Sequence, residues 1–231
     1  MAAWPRIAAG GYEMAWSDRS RLGALSAALV LALAPVSAIA HPHVLPSVHA
    51  SIVFNGNGGV TALRQVWTYD PAYSAFVMRG KASSAGNSLS EAELKAFADT
   101  QVAALFEHGF FTVAATPDGQ VEMGRPQQYS ASQGSDGRLE LTFTLPLAAT
   151  QAGRSGLVVE IHDPNYFAYF TIAEDGVSLE NAPSGCDVKT SGPQPIDLKQ
   201  TKLIPAAFWQ ALKGSTTASA QFVNRISLTC P

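Results

Sequence analysis

Cysteine is nearly absent from this chain, with only Cys186 and Cys230. Charge is sparse as well: Asp, Glu, Lys and Arg together make up 14% of the residues, and the formal net charge is −3. A mildly acidic chain of this kind has no basic footprint for nucleic acid and no polybasic patch for anionic lipid. Long apolar runs are missing after residue 40, so nothing beyond that point reads as a membrane span. The catalytic signatures are missing too. There is no G-x-S-x-G, no phosphate-cradling glycine loop, no HExxH and no CxxC, and no ordering of Ser, His and Asp that reads as a triad. The expectation is a protein that is not an enzyme.

What is present begins with an export signal. Arg19 and Arg21 supply a positive region, Leu22 to Val36 is almost wholly apolar, and Ala38-Ile39-Ala40 gives the small-x-small pattern of a cleavage site. The alternative is a retained anchor, but the apolar run is shorter than the roughly 20 residues that span a bilayer. The stretch before Arg19 is long for such a signal, and Met14 offers a second start. Residues 1–40 are therefore read as a cleaved signal peptide and 41–231 as one periplasmic domain. Removing Arg6, Arg19, Arg21, Glu13 and Asp18 makes the net charge one unit more negative. In an oxidising compartment Cys186 and Cys230 are expected to form a disulfide. Closing a loop of about 44 residues stabilises by roughly 4 kcal/mol in the chain-entropy model. A metal-thiolate site is the alternative for the pair, at an unsuitable spacing.

The mature chain reads as short strands with a helical interruption. Val48, Ala50, Ile52 and Phe54 alternate with polar neighbours, and Asn55 to Gly59 supplies turn residues before a returning strand from Val60 to Tyr69. Asp70-Pro71 opens a short helix, Pro71 to Arg79. Ser90-x-x-Glu93 is a capping box in front of Leu94, Phe97, Ala98, Val102, Leu105 and Phe106, and Gly109 is the stop. Strands resume at Phe110, with turns at Thr116-Pro117-Asp118-Gly119 and Gly134-Ser135-Asp136-Gly137. Leu139, Leu141, Phe143 and Leu145 form the clearest alternation. Leu157, Val159 and Ile161 form the next, and Tyr166 to Ile172 reads as a further strand. Residues 182 to 200 read as an irregular crossing pinned at Cys186. Leu203 to Leu212 reads as a short helix, and Gln221 to Thr229 as the closing strand. The predicted class is mainly β (α+β): an antiparallel sandwich-like domain, with a barrel as the alternative, and a helical insertion at about 71–109.

Cleavage after Ala40 makes His41-Pro42-His43 the first three residues. An N-terminal histidine offers its free amine and its ring Nδ1, and His43 adds a further nitrogen. Imidazole suits zinc, copper, nickel and iron. Pro42 excludes the square-planar motif with histidine third, because that motif needs a deprotonated amide and proline has no N–H. An ordinary solvated terminus is the alternative. His49 is expected on the polar face of its strand, and His162 and Asp163 at a strand end. His108 is expected in a last helical turn, where a cation suits the dipole. Trp67, Tyr69, Tyr73 and Phe76, and then Tyr166, Phe167, Tyr169 and Phe170, read as core packing, with an aromatic pocket as the alternative.

Three stretches together carry a resemblance: His41-Pro42-His43-Val44, Trp67-Thr68-Tyr69-Asp70 with Tyr73-Ser74-Ala75-Phe76, and Asp163-Pro164-x-Tyr166-Phe167-x-x-Phe170. With the late cysteines, they resemble the DUF1007 family over nearly all of the mature chain. The resemblance implies an exported bacterial protein of unknown function, labelled as the periplasmic component of an uncharacterised transport system and often found near nickel/cobalt-type permeases. Many relatives carry an EF-hand-like loop before the long helix. The matching stretch here, Ala82 to Glu93, has Ala82, Ser84, Gly86 and Glu93 at the ligand places, so no calcium is expected. Val44-Leu45-Pro46 departs from the aromatic residue that relatives often have soon after the histidines.

The leading expectation is a periplasmic accessory protein of a nickel, cobalt or zinc transport system. It would bind metal through His41 and His43, with Asp163 or Asp70 completing the site, and work with a membrane permease. A non-catalytic domain docking on a permease through its aromatic surface, without a ligand, is the alternative. An oxidase holding copper at the N-terminal histidine is the third reading.

Overall fold

The computed structural model describes residues 44–79, 81, 88–148, 156–193 and 221–231. The signal segment, His41, His43, most of the loop 80–87 and the helix expected at Leu203 to Leu212 lie outside the described residues. Residues 39–231 belong to one compact unit.

The described elements are mostly strands. They run β1 (Ser47–Phe54), β2 (Val60–Thr68), α1 (Pro71–Met78), α2 (Glu91–Phe106), a 3₁₀ turn (Gly109–Phe111), β3 (Thr112–Thr116), β4 (Gly119–Val121), β5 (Tyr129–Gln133), β6 (Leu139–Pro146), β7 (Val158–Ile161), β8 (Thr171–Glu180), β9 (Asp187–Ser191) and β10 (Asn224–Thr229). They form two five-stranded sheets, ordered β5-β6-β2-β1-β8 and β4-β3-β7-β10-β9. This is the sandwich-like, mainly β architecture expected from the alternation. One pairing is parallel: β1 runs alongside β8, so the first sheet is mixed.

The period-two faces are the inner faces. Val48, Ile52, Leu139, Leu141, Phe143, Leu145, Leu157, Val159 and Ile161 are all buried in one core. A polar relay sits within it. Trp67 Nε1 donates to Gln65 Oε1 at 2.8 Å, Gln65 Nε2 donates to Thr112 Oγ1 at 3.0 Å, and Thr112 Oγ1 donates to Phe110 O at 2.8 Å. Each of the three donors in this relay therefore has an acceptor, as burial demands. The expected disulfide joins Cys186 to Cys230 across a separation of 44 residues. It ties the start of β9 to the end of β10.

The structure differs from the sequence-based reading in four places. Residues 164–170 are a loop and not the start of a strand, which begins only at Thr171. The crossing expected over 182–200 contains strand β9, paired to β10 from Asp187↔Thr229 to Ser191↔Arg225. After α2 the chain does not go straight into a strand. Gly109, Phe110 and Phe111 turn with φ of 57°, 55° and 50°. His108 accordingly lies past the helix, its ring stacked 5.3 Å from that of Phe111. Finally, β8 bulges where it meets β1, the register passing from Val48↔Ile172 to Ala50↔Val177. Gly176 sits in that bulge because an added Cβ would lie 2.6 Å from Ala173 O and 2.9 Å from Val48 O.

Candidate functional site

Val44 to Pro46 form a strap that extends β1 backwards. The Val44 N–H donates to Phe167 O at 3.3 Å, the Tyr169 N–H donates to Val44 O at 2.9 Å, and the Thr171 N–H donates to Pro46 O at 3.1 Å. Val44 pairs in parallel with Ala168, continuing the β1–β8 direction. On its other side the Leu45 N–H donates to Asp70 Oδ2 at 3.0 Å. The strap is thus held from two directions, by the loop 163–170 and by the start of α1.

Asp70 precedes a proline at the first helical position, so its backbone stays extended (φ −64°, ψ 158°) while its side chain turns back onto the helix. Oδ1 accepts from the N–H groups of Ala72 and Tyr73, both at 2.9 Å. This satisfies two of the amides that a helix start leaves unpaired. With Leu45, the carboxylate accepts three backbone amides.

Asp163 organises the opposite wall. It is only 3% exposed. Its Oδ1 accepts from Asn165 N–H at 2.8 Å, and its Oδ2 accepts from Phe167 N–H at 2.9 Å and Ala168 N–H at 3.0 Å. Pro164 has no N–H to compete, and Tyr166 turns with φ of 55°. The loop is therefore wound around one carboxylate and presents Phe167 O to the strap.

Asn224 pins this corner to both sheets. It is 1% exposed. Its Nδ2 donates to Ile161 O at 3.1 Å and Phe170 O at 2.8 Å, and its Oδ1 accepts from Ile172 N–H at 3.2 Å. Ile161 belongs to the second sheet and Ile172 to the first, so one amide side chain spans the two. Sequence reasoning did not single out Asn224. Its only signal is a polar residue in a run that goes on to alternate through Ile226 and Leu228.

The two aromatic groups meet in the core, Trp67 and Phe170 lying 4.7 Å apart between ring centroids. Tyr69 and Tyr73 pack at 4.9 Å, and the Tyr69 hydroxyl donates to Gln101 Oε1 of α2 at 3.3 Å. Burial pushes the Tyr69 phenol far above its ordinary range, with the neighbouring Tyr73 adding to the rise. Tyr73 is raised as well, again first by burial; a hydrogen bond with Gln101 offsets part of that, and the Asp70 charge adds to it. Two members of these groups do not pack inward: Phe76 is 65% exposed and Phe167 is 50% exposed.

The predicted site residues therefore divide. Asp70 bonds the strap directly, and Asp163 winds the loop whose backbone holds the strap's other side, though the two lie far apart in the chain. Each carboxylate already accepts three amide hydrogens of about four lone-pair positions, which leaves each about one position for a cation. His41 and His43 are outside the described residues. They immediately precede the clamped strap in the chain. His49 is exposed on the outer face of β1. His162 donates its backbone N–H to Phe111 O at 3.0 Å, and its Nδ1 is buried with no hydrogen-bond partner. Among the described residues no three His, Cys, Asp or Glu side chains gather as a metal would require. A transition ion at this corner would need the nitrogens of His41 and His43, with the aspartates fixing the strap and offering at most one oxygen each. Glu93, the one carboxylate at a calcium-loop ligand place, is used in the capping box: its Oε2 accepts from Ser90 N–H and Ser90 Oγ, both at 2.8 Å.

Comparison with curated proteins finds no match. A family model described as "Protein of unknown function (DUF1007)" matches residues 26–230, all but the first 25 residues and the last. The chain belongs to the DUF1007 family.

Proposed function

We propose that this is an exported accessory protein of a transition-metal transport system, working in the periplasm. It binds nickel, cobalt or zinc through His41 and His43 and exchanges the ion with a membrane permease. The ion is cargo, held and passed on. The observation that carries this reading is the clamp on Val44–Pro46, with Asp70 on one side and the Asp163 loop on the other. A free, solvated terminus needs no such anchoring. A terminus that must hold two histidines around one ion does, because ordering the chain in advance lowers the entropy cost of binding.

In this reading the amine and ring Nδ1 of His41 form one chelate, His43 adds a nitrogen, and the spare lone pair of Asp70 or Asp163 is an optional fourth donor. Neutral imidazole and a free amine suit borderline divalent ions better than calcium or magnesium. Such a site also releases its ion as the nitrogens protonate in mild acid.

The test is the metal content of untagged protein purified from the exporting cell, with the mass of its N-terminus measured on the same sample. An N-terminus at His41 with near-stoichiometric nickel, cobalt or zinc is the expected result. An N-terminus at His41 with no metal, and no uptake on titration, overturns the reading.

A further inference from the structure

The two sheets end in four edge strands, β5 and β8 in the first and β4 and β9 in the second. An edge invites pairing with another chain, and proteins blunt it with charge, a bulge or brevity. Strand β8 is broken by its bulge, where Glu174 and Asp175 are exposed. Strand β9 carries exposed Asp187 and Lys189. Strand β4 is three residues long. Strand β5, Tyr-Ser-Ala-Ser-Gln, has none of these devices: it holds no charge and no proline, and its register with β6 is unbroken.

That register fixes which main-chain groups of β5 face outward. The Thr144 N–H donates to Gln128 O at 3.1 Å, and the Gly134 N–H donates to Arg138 O at 2.8 Å. Hydrogen-bonded and non-hydrogen-bonded pairs alternate along an antiparallel ladder. Ser130↔Thr142 and Ser132↔Glu140 are therefore the bonded pairs, and the N–H and C=O groups of Tyr129 and Ala131 point away from β6. The side chains of these two residues share the face of Phe143 and Leu141, and the Tyr129 hydroxyl donates to Asp99 Oδ1 of α2 at 3.1 Å. Between this edge and α2 lies a cleft of about 490 Å³, lined by Leu94, Lys95, Ala98, Asp99, Tyr129 and Ala131. A second cleft, beside Gln133 to Gly137, shares Leu94 with it, so the hollow follows the strand along its length.

Shape and charge indicate the occupant. Outward amides two residues apart, about 6.8 Å, match another extended main chain. A strand laid there extends the first sheet past α2 and turns alternate side chains toward Leu94 and Ala98. A strand edge beside a helix is the arrangement to which extended peptides add. On α2, Lys95 is held by Asp99 at 2.7 Å. Glu91, which also lines the cleft, is exposed and makes no ion pair among the described residues. The helix wall is net negative and suits a basic side chain. A second copy of this chain fits less well, because five residues of edge fall short of the roughly 1,000 Å² that a specific interface buries.

We propose that the β5 edge and its cleft beside α2 bind an extended peptide segment of a partner protein, with an apolar residue against Leu94 and Ala98 and a basic residue beside Glu91. Main-chain pairing to Tyr129 and Ala131 supplies the affinity. This inference does not depend on metal binding.

The test selects binders from a random peptide library on the processed protein and resynthesises those recovered. The recovered peptides are expected to alternate apolar with basic or polar residues. On binding they should slow amide exchange at Tyr129 and Ala131 roughly tenfold or more, while Ser130 and Ser132 stay as protected as in the free protein. Ala131→Pro removes an outward N–H and leaves the bonds to β6, the placement at which an edge strand accepts proline. It should weaken peptide binding about tenfold. Glu91→Lys leaves the strand untouched and should also weaken binding, most at low salt. Recovery of no peptide overturns the proposal. So does protection at β8 or β9 in place of β5, or wild-type affinity in either folded variant. Protection of Tyr129 and Ala131 that rises with protein concentration and needs no peptide also overturns it, and assigns the edge to a second copy.

Discussion

The Leu45 N–H donates to Asp70 Oδ2 at 3.0 Å, joining the strap before β1 to the cap of α1 across 25 residues of sequence. One carboxylate thereby does two things: it starts a helix and it anchors the segment that follows His41 and His43.

That double role can be separated by substitution. Asp70→Asn keeps one oxygen acceptor for the helix amides, and Asn caps nearly as well as Asp, but its NH2 faces the Leu45 N–H, so the bond to the strap alone is lost. Asp70→Ala removes both the cap and the bond to Leu45. The loss expected is about 2–4 kcal/mol, combining a typical cap with a hydrogen bond to a charged group. The accompanying signature is local: limited proteolysis before Ser47 should accelerate in both variants, because neither can accept the Leu45 N–H, while the cap is lost only in Asp70→Ala. A wild-type proteolysis rate in Asp70→Asn would refute the anchoring role.

Asn224 should be as costly, for a different reason. Asn224→Ala leaves the carbonyls of Ile161 and Phe170 and the N–H of Ile172 without their partner. A buried group left unsatisfied costs about 1–3 kcal/mol. Thermal unfolding should fall accordingly, and hydrogen exchange at Phe167, Ala168 and Tyr169 should quicken, because that corner loses its tie to both sheets. Unchanged exchange there would mean that the Asp163 carboxylate holds the loop unaided.

Much of this fold was legible, and the parts that were not share a cause. Alternation located β1 and β6 because Val48, Ile52, Leu141 and Phe143 each face one buried layer. Local chemistry located the helix starts, since Asp70 and Ser90 act on amides two or three residues away. Tyr166 to Phe170 misled because an aromatic run has strand propensity, yet the Asp163 side chain captures the amides that a strand would have used. Strand β9 was hidden between Pro183 and Pro193, and its pairing depends on β10 and the disulfide, both distant in sequence. The parallel match of β1 with β8 and the convergence of Asp70 with the Asp163 loop are long-range facts with no local signal. The histidines were visible as chemistry; the anchoring of the strap that follows them, from Val44 on, was not.

The capping box gives a pH-dependent outcome. Hydrogen bonds from Ser90, its backbone N–H first and its hydroxyl second, hold the Glu93 carboxyl below its ordinary value. A depressed carboxylate contributes stability above its unfolded pKa, and that contribution disappears as pH falls through the lower folded value. The melting-temperature gap between wild type and Glu93→Ala should therefore be full at neutral pH and should close as pH drops below about 4. Ser90→Ala should lose about 1 kcal/mol, or about 2–4 °C in a domain of this size, at neutral pH. A gap that widens in acid would contradict the sign.

Removing the disulfide should be among the larger single losses. The 44-residue separation of Cys186 and Cys230 corresponds to about 4 kcal/mol in the chain-entropy model. Cys186→Ser with Cys230→Ser, or reduction of the wild type, should lower the melting temperature markedly. The first segment to open should be β9, which pairs with β10 alone among the described strands. Hydrogen exchange of Val188 and Thr190 in the reduced protein checks this, and protection equal to that of the oxidised form would count against it.

In the proposed function the segment ahead of the clamped strap, His41 and His43, would hold a transition metal. The direct measurement is calorimetric titration of the processed, metal-stripped protein with nickel, cobalt and zinc, beside the His41→Ala, His43→Ala double variant. The account expects one site with tight binding in the wild type, and at least a hundredfold loss in the double variant with the fold intact. Equal affinity in the two proteins, or no binding by either, would contradict it.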